Sequence, residues 1–410
     1  MVNRIVYFRP QMAKSEANAL QTDNFSSEAQ GTGEPKLSKA VHRFHLGYLP
    51  GLDGLRGVAI LAVVATHGHV LNGWAGQIGV DIFFVLSGFL ITSLLIEEWE
   101  QLHSVSLKRF YARRALRLLP ALVVMIVTIV IWHGLTNRGV FGRTALDGII
   151  ALFYSSNWMF ALGFRQPAHV FAHTWTLSIE EQFYFWWPLV LLFLLRHCSS
   201  RASLLRWVAL AIFLLFVEKV IIAAGMPSGT MNWLTYATDA RADTLLIGCA
   251  IAIMLHMNRM AWQDRAKFVL KYTAWFIGLP GLILIGIPAG LSADFSTIGL
   301  HLVTGLLAAL ILMEPVVSEG GLLSWLLSRR WLVYVGKVSY GMYLWHYPIF
   351  SEVQARNWPF PCELAVEFGL TVLATIASFY LIEKPALKLK RRFSSERRGN
   401  DEEVLFKLSK

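Results

Sequence analysis

The chain is organised by apolar runs of about 20 residues that recur, with short polar breaks, from about residue 57 to residue 383. About 20 apolar residues wound as a helix span a hydrocarbon core of roughly 30 Å, whereas ordinary core helices are shorter. A soluble helical protein needs polar positions every three or four residues, and stretches such as Leu118–Trp132 and Leu302–Met313, with a single threonine each, have no such polar face. Composition agrees: 55% of the 410 residues are apolar and 16% charged, against about 25% charged in a typical soluble domain. The expectation is an all-α polytopic membrane protein.

Ten crossings account for the charges: 57–73, 78–96, 118–134, 176–195, 206–224, 242–257, 272–290, 296–313, 336–352 and 364–383. With the N-terminus inside, the basic groups Lys108–Arg117, Arg196–Arg206, Arg259–Lys271 and Arg329–Arg330 all face the cytoplasm, as does the tail after Glu383. Lys and Arg collect on that side of bacterial membrane proteins. The net charge of +10 is thereby explained by topology, with no nucleic acid as partner. Residues 145–162 are apolar enough to cross, but a crossing there would invert everything after it. A re-entrant or interfacial segment at 145–172 is expected instead. Residues 1–47 read as a flexible cytoplasmic tail, 48–386 as one transmembrane domain, and 387–410 as a basic cytoplasmic tail, solvated or lying on anionic lipid. Cys198, Cys249 and Cys362 have no disulfide or metal-ligand spacing, and no metal is expected.

Ionisable side chains inside membrane helices are costly, so each is a functional candidate. Arg56 and His67 lie eleven residues apart in the first run. That is about three turns, so they share a face roughly 16 Å apart. An imidazole at mid-depth is expected to be neutral, because low dielectric disfavours imidazolium. A neutral imidazole can deprotonate a hydroxyl; the simpler reading is a histidine bonded to a neighbouring helix. A second cluster, HTWTLSIEEQFYFWWP from His173 to Pro188, brings Glu180 and Glu181 into the fourth run, where a carboxylate needs a partner such as His67 or His173. Its aromatic residues also fit an ordinary interfacial belt. A third, KRFYARRALRLLP from Lys108 to Pro120, carries Arg113, Arg114 and Arg117. Topology explains the charge but not the choice of arginine, whose planar fork suits phosphates. Asp239, Arg241 and Asp243 form a fourth cluster, which substrate contact or mutual pairing would explain. Tyr343 and His346 share a face of a fifth, KVSYGMYLWHYP, with His346 open to substrate contact or a structural hydrogen bond.

These clusters, in this order, resemble the acyltransferase-3 family of membrane O-acyltransferases. The resemblance is carried by LDGLRGVAILAVVATH with its Arg56–His67 spacing, GVDIFFVLSGFLI, RRALRLLP, HTWTLSIEEQFY, and SYGMYLWHYP followed by IEKP. It covers about residues 48–386. It implies ten membrane helices, an acyl-CoA donor on the cytoplasmic side, acetyl-CoA by family frequency, and acylation of saccharide or other glycosylated or lipid-linked hydroxyls at the inner membrane. By the resemblance, His67 matches the presumed catalytic histidine and Arg56 its paired arginine. Arg114 and Arg117 match an Arg-x-x-Arg motif tied to donor binding or activity. Thr176 departs from the family's more frequent Ser. Many relatives carry a C-terminal hydrolase-like domain; this chain stops soon after IEKP, so it is expected to complete the transfer without one.

The expected roles are therefore as follows. His67 is the base, or itself takes the acyl group, with Glu180 orienting or charging its ring. Arg56 contacts the donor or the thioester oxyanion, and Arg113, Arg114 and Arg117 hold donor phosphates. His173, Ser178, Glu181, Arg241, Asp243, Tyr343 and His346 are the substrate-contact candidates. The alternative is a proton-coupled secondary transporter of a sugar or small acid, which the same buried His, Arg and Glu would suit. Transporters often show inverted repeats, and none is visible here. A third class, a scaffold in a polysaccharide-assembly complex, would tolerate substitution of every polar cluster.

Overall fold

A computed structural model describes residues 46–165, 170–225, 231–257, 264–286, 293–317 and 321–390. The two expected tails, apart from Leu46–Gly47 and residues 387–390, lie outside the described residues. The first half contains α1 (Pro50–His67), α2 (Gly73–Leu102), α3 (Leu107–Thr136), α4 (Arg138–Leu152), α5 (Ser156–Ala161), α6 (Thr174–His197) and α7 (Arg201–Gly225). The second contains α8 (Met231–Tyr236), α9 (Thr238–Leu255), α10 (Asp264–Thr273), α11 (Leu279–Gly286), α12 (Ala293–Val317) and α13 (Leu322–Leu327). Then follow α14 (Arg330–Lys337), α15 (Ser339–Gln354), α16 (Phe360–Ser378) and α17 (Lys384–Lys390). Single π-helical turns, Ala274–Gly278 and Phe379–Glu383, join α10 to α11 and α16 to α17.

The expectation of about ten membrane crossings is corrected. Among the described residues, five helices are long and apolar enough to cross: Gly73–Leu102, Leu107–Thr136, Arg201–Gly225, Gly299–Val317 and Phe360–Leu389. The other five runs fall short for physical reasons. α1 is 18 residues long and carries Asp53 and Arg56 near its start. α6 carries Glu180, Glu181 and Arg196, and α9 carries Asp239, Arg241 and Asp243. α15 has only 16 residues. The run at 272–290 is, among the described residues, a shorter apolar helix, Lys271–Ile285. Among the described residues of the 145–172 segment, α4 ends at Leu152 and the short α5 follows, with a bend at Tyr154, whose φ is +52°.

α2 is the centre of the bundle, lying against α1, α6, α9 and α12. Its contact with α9 is backbone to backbone. A side chain at Gly88 would run into the carbonyl of Leu245, and one at Gly248 into that of Val85. Small residues let helices approach this closely where van der Waals packing must hold them together. α1 is wedged between α2 and α14, with α15 against its later turns. α7 instead turns Trp207, Phe213, Leu214 and Ile221 outward, each more than half exposed, as expected of a helix that faces lipid.

Candidate active site

Two polar centres lie along α1, one near each end. At the Arg56 end is a cavity of about 80 Å³, lined by Arg56 of α1, Ser87 of α2, Arg114 and Arg117 of α3, and Glu180, Glu181 and Tyr184 of α6. Helical spacing brings them together: Arg114 and Arg117 are three apart, and Glu180 and Tyr184 four apart, so each pair shares a face. Ser87 Oγ–H donates to Glu180 Oε1 at 2.6 Å. The Arg114 guanidinium lies 3.4 Å from the centre of the Tyr184 ring, which holds its planar fork by cation–π attraction. Arg56 reaches Asp53 only loosely, at 3.7 Å. Guanidinium groups outnumber carboxylates three to two on this lining. α15 contributes Tyr340, whose hydroxyl donates to Leu118 O at 2.7 Å and ties α15 to α3.

At the other end, His67 is the last residue of α1. Its Nδ1 lies 3.0 Å from Val63 O and 3.3 Å from Nε2 of His346. Gln354 Nε2–H donates to the His67 carbonyl at 2.9 Å and to Glu367 Oε1 at 2.8 Å, clamping the helix end to α15 and α16. The Tyr347 ring stands edge-on to His67 at 5.0 Å. His173 joins the group, with ring centres 5.6 Å from His346 and 5.3 Å from Tyr347.

Tyr343 stands between the centres. It lines the cavity, its hydroxyl donates to His173 O at 2.6 Å and meets Thr176 Oγ1, and its ring lies 5.4 Å from that of His346. His67 itself does not line the cavity.

The structure thus brings Arg56, Arg114, Arg117, Glu180, Glu181 and Tyr343 to one cavity, and His67, His173 and His346 to the cluster behind Tyr343. Glu180 bonds Ser87 on the cavity wall, whereas the side chain bonded to His67 is His346. Arg113 points elsewhere, 3.5 Å from Glu98 Oε2. Ser178 is fully buried and returns its hydroxyl to Thr174 O at 3.0 Å. Arg241 and Asp243 lie in a separate buried charge network. Arg241 Nη2 is 2.7 Å from Asp81 Oδ1, while Asp81 Oδ2 also accepts from Thr304 and lies 3.1 Å from His301 Nδ1. Asp243 pairs with Lys219 at 2.6 Å. Ser87 was not singled out from sequence. Ser87 lies inside the GVDIFFVLSGFLI run, where only its helical placement shows which way it faces.

A second cavity of about 470 Å³ shares Arg114, Leu118, Glu181 and Tyr184 with the first, and Phe153, Phe185 and Trp186 also line it. Those three aromatic side chains are more than half exposed.

The family model described as "Acyltransferase domain" matches residues 49–383. YrhL of Bacillus subtilis (strain 168) is 36% identical over 360 residues, covering 83% of this chain and 55% of that protein. The peptidoglycan O-acetyltransferase OatA of Listeria monocytogenes is 35% identical over 366 residues, covering 85% of this chain and 57% of that protein. The O-acetyltransferase OatA of Staphylococcus aureus (strain NCTC 8325 / PS 47) is 32% identical over 353 residues, covering 83% and 57%. The chain therefore spans little more than half the length of these relatives. No solved structure matches it. With a family match over most of its length and five apolar spans, the chain belongs to the acyltransferase domain family of multi-pass membrane proteins.

Proposed function

We propose that the chain is an O-acyltransferase that moves an acyl group, acetyl by its likeness to named O-acetyltransferases, from acyl-CoA to a saccharide hydroxyl of the peptidoglycan type. The carrying observation is the cavity in which Arg56, on the helix that ends in His67, meets Arg114 and Arg117 of α3.

The donor's chemistry fits the residues present. Coenzyme A carries phosphates on a long, narrow pantetheine arm. Arg114 and Arg117 present forked donors suited to those phosphates, and Tyr184 holds one fork in place. Glu180, bonded to Ser87, sits among the arginines and balances part of their charge. The arm would run along α1 for about 16 Å of helix rise, past Tyr343, to bring the thioester to His67. That path places the Arg56 end on the cytoplasmic side, in keeping with the basic loops. His67 then removes the acceptor's proton, and the oxygen attacks the thioester carbonyl. The C–S bond breaks and the thiolate leaves with that proton. Arg56, held at the far end of α1, contacts the donor and not the reacting carbonyl.

The direct test is the protein reconstituted in liposomes with acetyl-CoA radiolabelled in the acetyl group and soluble peptidoglycan fragments outside. Label appearing as an alkali-labile ester on the saccharide supports the proposal. Uptake of a sugar or small acid driven by a pH gradient, with no ester formed, supports a transporter instead.

A further inference from the structure

Two histidines, 279 positions apart in sequence, touch through defined nitrogen atoms, and the backbone around them decides which nitrogen carries a proton. His346 Nδ1 lies 2.7 Å from Tyr343 O and 3.2 Å from Met342 O. Carbonyl oxygens only accept, so Nδ1 of His346 bears the hydrogen, and its Nε2 in the neutral ring is a bare acceptor. His67 Nδ1 faces Val63 O at 3.0 Å, so it too carries the hydrogen. That single N–H is shared between Val63 O and His346 Nε2. The unprotonated nitrogen of His67 is therefore Nε2, the one directed away from both partners.

We propose that His346 is the positioning residue of the transfer, acting on His67 where a carboxylate acts in a serine-hydrolase triad. The proposal rests on reading His67 as the base. In the step, the acceptor's hydroxyl proton passes to Nε2 of His67 while its oxygen bonds to the acyl carbon. The C–S bond breaks, and the Nε2 proton goes to the departing sulfur. Between those events His67 is an imidazolium, and His346 Nε2 accepts the hydrogen bond from its Nδ1–H and shares the charge. The partner is another imidazole, so no net charge is stored at this buried point before the reaction. A carboxylate such as Glu180 would store one, and it is engaged elsewhere by Ser87. His346 is fully buried, and the rings of Tyr343, Tyr347 and Phe350 lie within 6.2 Å of it, so its plane is fixed. The arrangement resembles the support that metal-binding histidines receive on their second ring nitrogen, and a loss of the same order, roughly 10–100-fold in activity, is expected when it is removed.

The test compares His346→Phe, His346→Gln and His346→Asn in the reconstituted acetyl-transfer assay, with melting temperatures recorded alongside. The glutamine amide oxygen can stand near the position of Nε2 and accept from His67, whereas asparagine ends near Nδ1. The expected result is a kcat about 100-fold lower for Phe and Asn, KM values for donor and acceptor changed by no more than about twofold, and recovery of most of kcat by Gln. Wild-type kcat in the Phe or Asn variant overturns the proposal. So does equal loss in all three, which marks a packing role, or a raised KM with retained kcat, which marks substrate contact. If His67→Ala is inactive while every His346 variant is normal, only this inference fails. If His67→Ala is active, the underlying reading of His67 fails.

Discussion

Arg56 and His67 stand on a single helix, yet only Arg56 opens into the arginine-lined cavity; His67 lies beyond Tyr343, bonded to His346. Any transfer using both must therefore carry the acyl group along α1 for about three turns. The hydroxyl of Tyr343, held by His173 O and Thr176, stands on that path.

The arginines should divide by where they point. Arg114→Ala and Arg117→Ala are expected to raise KM for acetyl-CoA by about 10–100-fold, the loss of a charge-assisted hydrogen bond worth about 1.5–3 kcal/mol. Lysine at either position should restore little, because it lacks the fork. Arg113→Ala should leave KM near wild type, since that side chain pairs with Glu98. Initial rates against acetyl-CoA concentration check all three, and a raised KM for the Arg113 variant alone would reverse the assignment.

The buried network on α2, α7, α9 and α12 should govern stability. Arg241→Met leaves Asp81 charged with only Thr304 and His301 beside it, and removing one partner of a buried pair costs about 3–5 kcal/mol. Asp81→Leu combined with Arg241→Met removes both charges and should recover most of that loss. Melting curves in detergent separate the two outcomes. A single variant as stable as wild type would argue that the pair contributes nothing.

The α2–α9 contact allows little change. Gly88→Ala and Gly248→Ala each direct a methyl group at a carbonyl of the facing helix. Overpacking of this kind costs about 1–3 kcal/mol, and backbone has less room to shift than a side chain. Each variant is expected to melt lower than wild type. Gly73→Ala, where a methyl group would meet open space, is the control and should melt within a degree or two of wild type, since a surface change of about 0.5 kcal/mol or less is expected there.

Much of this was legible in the chain itself. Apolar runs disclosed the membrane class, and five of the ten expected crossings are helices long and apolar enough to span. The other five read as crossings because a hydropathy run does not register where a helix breaks or how many charges it buries. The arginine face of α3 followed from spacing of three, a local rule. Partnerships between distant segments did not follow from any local rule. Arg241 meets Asp81 across 160 positions and Lys219 meets Asp243 across 24, where sequence suggested pairing within the 239–243 cluster. Likewise, the motif containing His346 was visible, but its contact with His67 depends on how α15 packs against α1. Glu180 was expected beside a histidine because a buried carboxylate needs a partner; it has one in Ser87.

The most direct measurement is acetyl transfer by His67→Ala in liposomes, with acetyl-CoA binding measured on the same preparation. Binding through the arginine cavity should persist while ester formation falls by at least about 10²-fold, the smaller end of a general base's contribution. Ester formed at near the wild-type rate without His67 would contradict the assignment of the chemistry to the end of α1.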